Sequence, residues 1–198
     1  MARMEPKAVL VHYLQQARDA MLWKLDGLGE YDIRRPMTPT GTSLLGLVKH
    51  LAGVEAGYFG ETFGRPFPEA LPWDSDDPDL AAATDMSAAA HETRDDITGL
   101  YRRVWAHADA TISELPMDAA GAVPWWATPP NPVTLQWILV HVTAETNRHA
   151  GHADIIRELI DGSAGLRASV SNLPDLDAAS WDSYRTRVEQ AARDAAGQ

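Results

Sequence analysis

The sequence has no cysteine. Disulfides, thiolate zinc sites, iron–sulfur clusters and a cysteine nucleophile are thereby excluded. Positive charge is scarce: Lys and Arg total 17 against 28 Asp and Glu, a formal net charge of -11. Sequence-independent nucleic-acid binding rests on Lys and Arg neutralising phosphates, and an anionic membrane surface attracts the same residues. Neither partner is expected. No apolar run approaches the ~18 residues that suggest a membrane span. The opening stretch MARMEPKAVLVHYLQQARDA lacks an apolar core followed by a small-residue cleavage site, so no secretory signal is expected. The expectation is a cytoplasmic protein. Sustained alternation of Val, Ile and Thr between turn signals is also missing, and with it any strand signal.

What is present is helical. The 198 residues, 45% of them hydrophobic, suffice for one domain over 1–198 with a real core. Five segments carry apolar residues at steps of three and four. The first holds Leu10, Leu14, Ala17, Met21, Leu25 and Leu28 and ends near Gly27 and Gly29. The second follows Thr42 or Ser43 as N-cap and holds Leu44, Leu47, Val48, Leu51, Val54 and Tyr58. The third runs from about Ser87 to Leu115 and is stopped by Pro116; the fourth runs from near Thr134 to Gly162. A shorter fifth spans Ala178 to Ala196. Four long amphipathic helices predict an all-α four-helix bundle. The additional C-terminal helix should pack outside it through Trp181 and Tyr184. Two connections, GRPFPEALPWDSDDPD and PMDAAGAVPWWATPPNP, exceed the usual helix–helix loop, and long loops in compact domains are often functional.

The fourth helix contains HVTAETNRHAGH, three of the chain's seven histidines and a glutamate. At about 100° per residue, Glu145, His149 and His152 fall within about 80° of His141. Ile138, Val142, Ile156, Leu159 and Ile160 lie within or beside the same arc, so the ionisable groups should face the core. Burying an unpartnered carboxylate or imidazole costs several kcal/mol by order of magnitude. The arc supplies no Lys or Arg. A divalent metal resolves the difficulty, because side chains at i and i+4 can converge on one ion. His50, in LLGLVKHLAGVEAGYF, shares an inward apolar face with Leu47, Leu51, Val54 and Tyr58. His50, Glu145 and His149 would give two imidazoles and a carboxylate, leaving coordination positions open.

Other readings of these residues stand beside that one. A lone inward His is more often a hydrogen-bonded core residue than a ligand. Glu145 and His149 could form a surface i,i+4 pair. His152 is a candidate fourth ligand or a hydrogen-bonding support to one, and His141 a candidate at the end or rim of the cavity. His12 is a weaker candidate, while His91 and His107 read as ordinary polar positions. Trp125 and Trp126, with Tyr58, are candidate pocket walls; the Trp pair could equally cover the bundle end. The acidic stretch from Glu69 to Asp96 reads as a solvated loop and helix start.

A His in LVKHLAGVE followed far downstream by the pattern HxxxExxxHxGHADIIRE resembles the DinB/YfiT-like metalloenzyme superfamily, over roughly residues 5 to 190. The resemblance implies an up-down-down-up bundle, a homodimer, and one divalent metal, zinc or nickel, with three ligands carried over to His50, Glu145 and His149. Glu at the middle position is similar to the mycothiol-dependent maleylpyruvate isomerase branch. The wider group includes transferases of low-molecular-weight thiols such as mycothiol and bacillithiol. The expected function is therefore a metal-dependent thiol transferase acting on a small electrophile. A water-activating hydrolase and a non-catalytic metal- or ligand-binding protein are the alternatives. Zinc is the favoured ion; nickel, manganese and iron also suit the ligands.

Overall fold

The structure, a computed structural model, describes residues 5–71, 84–127 and 131–198. It is mostly helical, which bears out the all-α reading. Helix α1 spans Pro6–Trp23 and starts with proline, whose missing N–H costs nothing in a first turn. A five-residue helix, α2, spans Glu30–Arg34. It is too short to show a period and is pinned by one buried residue, Ile33. Helix α3 spans Leu44–Glu55, with the Ser43 hydroxyl accepting from the Gly46 N–H at 3.2 Å. Helix α4 spans Arg94–Glu114, α5 Leu135–Asp161 and α6 Ala178–Ala196. Thr134 caps the start of α5, and Gly162, at φ 79°, ends it in the left-handed conformation that glycine adopts without strain.

Two boundaries depart from the periodicity. The third long helix begins at Arg94, not near Ser87. A capping box between Thr93 and Asp96 starts it there, and residues 84–92 instead run against α3. The second helix does not stay α-helical to Tyr58. After Glu55 it widens into a π-helical turn, Ala56–Gly60, then tightens into a 3₁₀ turn, Glu61–Phe63, closed by Gly64 at φ 67°. Two two-residue strands, β1 Ala120–Gly121 and β2 Val133–Thr134, pair antiparallel across the loop that carries Trp125 and Trp126. They are too short for alternation to reveal.

Helix α1 packs on α5, α3 on both α4 and α5, and α4 on the π turn. Two apolar clusters result. One gathers Met21, Leu47, Leu51, Tyr101, Ala153 and Ile156; the other gathers Leu14, Phe59, Ile112, Ile138, Leu139 and Val142. The seam between them holds the polar groups. On α1 it holds Arg18 and on α5 Glu145, Thr146 and His149. Helix α6 buries none of its residues. Trp181 is half-buried and Tyr184 exposed; with Glu158 and Leu173 they line a cavity of about 590 Å³ beside the end of α5. Among the described residues, no helix is long and apolar enough to cross a membrane.

Candidate metal centre

The buried face of α5 is centred on Leu135, Ile138, Leu139, Val142, Thr146, Ala150, Ala153 and Ile156. This corrects the expected phase. The ionisable arc lies at the edge of the buried face, not at its middle. The small side chains of Ala150 and Ala153 take the central positions, while Leu159, expected inward, is exposed. Along the edge, His149 is buried, Glu145 and His141 are half-buried, and His152 is exposed.

From this edge the structure brings three groups together. One ligand atom each from His50, Glu145 and His149 lies within 4.8 Å of the others. His149 Nε2 is 2.8 Å from Glu145 Oε1, and His50 Nε2 is 4.0 Å from the same oxygen. The His50 and His149 rings meet edge to face at 4.9 Å between centroids. Oxygen and nitrogen ligands lie about 2.0–2.2 Å from zinc, so the 2.8 Å pair would open slightly and the 4.0 Å pair close for the three groups to converge on one ion. His149 Nδ1 is buried without a hydrogen-bond partner among the described residues, so this imidazole is not a conventionally satisfied core histidine. The donor set is compatible with a divalent metal.

The charge states favour the same use. Burial pushes the His149 imidazole below its ordinary value, the neighbouring His50 adds to this, and the hydrogen bond to Glu145 only partly opposes it. Burial pushes the Glu145 carboxyl up, but the hydrogen bond and charge of His149, with Arg148 and His50, outweigh it and leave it below its usual range. A neutral imidazole beside an ionised carboxylate is what a metal requires. Arg148 reaches Glu145 at 3.4 Å from the exposed side, a cation that the helical projection does not supply.

A fourth ionisable group, the second carboxylate, enters from outside the helices. Asp85 Oδ2 lies 2.7 Å from His50 Nδ1. The acidic stretch from Glu69 to Asp96 is therefore not simply solvated. Glu92 is buried too, with its carboxylate 2.8 Å from the buried Lys49 ammonium. Periodicity could not reveal Asp85, because it sits 35 residues from its partner in a segment without helical pattern.

Beside the cluster, a cavity of about 250 Å³ is lined by His50, Val54, Gly57, Leu71, Asp85 and Trp125. Its aromatic wall is built locally. Gly121 leaves no room for a side chain: a Cβ there would lie 2.7 Å from the Thr62 carbonyl oxygen and 2.8 Å from the Phe63 ring. The loop after β1 is thus held against the 3₁₀ turn, and Ala122 N–H donates to Thr62 O at 3.0 Å. Trp125 then lies over the π turn, where a Cβ on Gly57 would be 2.7 Å from the indole edge. Tyr58 contacts Trp125 at 5.1 Å, Trp126 at 5.9 Å and His141 at 4.7 Å between ring centroids. Tyr58, Trp125 and Trp126 come together, but of the three Trp125 alone lines the cavity, and His141 joins this aromatic group instead of the His/Glu/His cluster. His152 packs its ring 5.3 Å from that of His149 without entering the cluster. His12 is exposed on α1, and Trp73 lies outside the described residues.

A second polar cluster in the seam was not anticipated at all. Arg18 and Glu55 are both fully buried, joined by two guanidinium nitrogens at 2.5 to 3.1 Å, with Asp109 2.8 Å from the third. Burial alone would lower the Arg18 value, but the Glu55 and Asp109 carboxylates outweigh it and raise it. Arg18 stays a cation.

The helical fold brings two imidazoles and a carboxylate together beside a cavity, an arrangement compatible with a divalent-metal site. The chain belongs to the mycothiol-S-transferase family, a DinB/YfiT-like family, whose profile matches residues 9–162. That span contains every residue of the cluster. Among solved structures, the chain is similar to the conserved protein of locus from Enterococcus faecalis, at 16% identity and a TM-score of 0.57, covering 81% of this chain and 100% of that one. That likeness concerns the fold alone. No curated protein matches the chain.

Proposed function

We propose that the chain is a metal-dependent transferase that joins a low-molecular-weight thiol, mycothiol, to a small electrophile, with His50, Glu145 and His149 holding the metal. One observation carries the reading. The three ligand atoms lie within 4.8 Å of one another beside a cavity that His50 itself lines, in a chain of the mycothiol-S-transferase family. Zinc suits two imidazoles and a carboxylate with a position left open. When bound, the ion supplies a Lewis acid that lowers the pKa of a thiol.

The chain's own residues do the rest. His50 and His149 bring neutral nitrogen donors from α3 and α5, and Glu145 brings one negative charge. The absence of cysteine leaves no protein thiol to compete with the cosubstrate. Trp125 and Leu71 give the cavity apolar walls, which suits a small organic electrophile. In the same reading, α1, α3, α4 and α5 form the up-down-down-up bundle of the family, with α6 outside it. Residues 1–198 form one cytoplasmic domain, two copies associate, and nucleic acid is not a partner.

The test is direct. Metal-loaded protein is incubated with mycothiol and a panel of electrophiles, and products are read by mass spectrometry beside the His50→Ala protein. Thiol conjugates that disappear with His50 are expected. Conjugates formed equally by His50→Ala, or hydrolysis that needs no thiol, would overturn the reading.

A further inference from the structure

A face of α3 carries Gly46, Lys49 and His50, spaced so that all three meet the segment at residues 84–92. Gly46 admits the segment's backbone: a Cβ there would lie 1.9 Å from the Met86 carbonyl oxygen and 2.7 Å from its carbon. No side chain fits against backbone at that distance, so glycine is required for this approach. One turn on, the buried Lys49 ammonium donates to the Ser87 carbonyl at 3.0 Å and to the Glu92 carboxylate at 2.8 Å. Glu92 in turn accepts from the Ala89 N–H at 2.6 Å, which folds the segment on itself. The segment is thus clamped on both sides of Ser87. Asp85 is the residue this clamp delivers to His50, at 2.7 Å from Nδ1.

The chemistry of that contact is one-sided. An ionised carboxylate can only accept a hydrogen bond, so the imidazole nitrogen facing it must carry the proton. A neutral imidazole then has its lone pair on the other nitrogen. That other nitrogen, Nε2, is the one directed at Glu145 Oε1, 4.0 Å away. We propose that Asp85 is a positioning residue for His50: its carboxylate holds the imidazole in the Nδ1–H form and in the orientation that presents the Nε2 lone pair to Glu145 and His149. The inference rests on the metal-centre reading for its purpose, but the contact and the tautomer are properties of the chain without metal.

Two measurements separate the inference from that reading. The first is the nitrogen-15 NMR signature of the His50 ring in metal-free protein. Wild type is expected to show a protonated Nδ1 and an unprotonated Nε2. In Asp85→Asn, whose amide can also donate, the Nε2–H form should gain. The second is affinity for Co²⁺, followed by visible absorption in competition with a chelator. Support from a carboxylate of this kind is worth about 10–100-fold in metal affinity. Asp85→Asn and Asp85→Ala are expected to bind Co²⁺ more weakly by that factor. Glu69→Gln removes an exposed acid of the same stretch and should change neither reading. An unaltered tautomer in Asp85→Asn, or Co²⁺ affinity equal to wild type, would overturn the proposal. Failure of wild type to bind Co²⁺ would overturn the metal-centre reading, and the tautomer measurement would still decide the role of Asp85.

Discussion

The seam between the two apolar clusters holds two polar groups of opposite design. On one side, Arg18 and Glu55 are completely buried and neutralise each other through a bidentate contact, with Asp109 adding a second carboxylate at 2.8 Å. Every charge there has its partner within the chain. On the other side, His50, Glu145 and His149 crowd a carboxylate and two imidazoles, and a cation, Arg148, approaches at 3.4 Å from the exposed surface. One imidazole nitrogen there, His149 Nδ1, is buried with no hydrogen-bond partner among the described residues. The first cluster is complete and fixes how α1, α3 and α4 meet. The second is incomplete as protein alone and lies beside a cavity. Of the two, the cluster that lies open to a cavity is the better candidate to hold a ligand.

Breaking the complete cluster should have the largest effect. Arg18→Met leaves Glu55 buried without its cation, and removing one partner of a buried pair typically costs about 3–5 kcal/mol. Urea unfolding should show that loss. Replacing both partners with apolar residues of similar volume, Arg18→Met with Glu55→Leu, should recover much of it. A double variant as weak as the single would mean that the pair contributes through Asp109 instead.

The incomplete cluster should respond to metal. Wild type in excess divalent ion should gain about 2.7 kcal/mol of stability at a free concentration near 100 times Kd. His149→Ala and Glu145→Gln should lose that gain, each judged against its own metal-free melt, because truncating the buried His149 also leaves a cavity. Paired thermal melts, with and without chelator, give the comparison. A metal-dependent rise surviving in His149→Ala would remove this residue from the ligand set.

Smaller effects sharpen the boundary between cluster and cavity. Gly57→Ala would press on the outer edge of Trp125, a residue that is 49% exposed and so has solvent to shift toward. The expected cost is below about 1 kcal/mol, less than a methyl group forced into a closed core. The signature is a changed tryptophan emission with unchanged metal affinity.

The smallest effect concerns an ion pair at the molecule's edge. Asp161 is held below its ordinary value by the hydrogen bond from Arg157, against a smaller opposing effect of burial. Its folded value lies below its unfolded one. The stability it contributes is therefore present above the unfolded pKa, near ~3.9, and is lost as pH falls through the folded value. With Asp161 34% exposed, solvent screening limits the contribution to about 0.5 kcal/mol. Asp161→Asn should lower stability at neutral pH by about that amount, flatten the acid limb of the stability–pH curve correspondingly, and leave the fully acid end nearly unchanged.

Much of this arrangement was legible in local chemistry. The α5 boundaries follow from a capping threonine and a terminal glycine. The i,i+4 spacing places Glu145 and His149 together whatever the rest of the chain does. An inward His50 on α3 follows from the apolar spacing around it, as does the all-α class from the absence of alternation. Those features depend on residues within a few turns of one another, where helix geometry alone decides what meets.

What remained was set by contacts between elements. The rotation of α5 depends on which neighbours its small residues Ala150 and Ala153 face, so periodicity placed the ionisable arc too deep. His141 turned toward Tyr58 and Trp126 because the loop after β1 is seated on the 3₁₀ turn by Gly121. Arg18 and Glu55 become a buried pair only when α1 and α3 come together. Asp85 meets His50 because Gly46 and Lys49 hold a segment distant in sequence. The sequence by itself determined the long helices and the Glu145/His149 pair on one of them. Only the tertiary structure decided which charges find partners within the chain and which gather beside a cavity, because pairing across helices depends on relative rotation and depth, which no local period encodes.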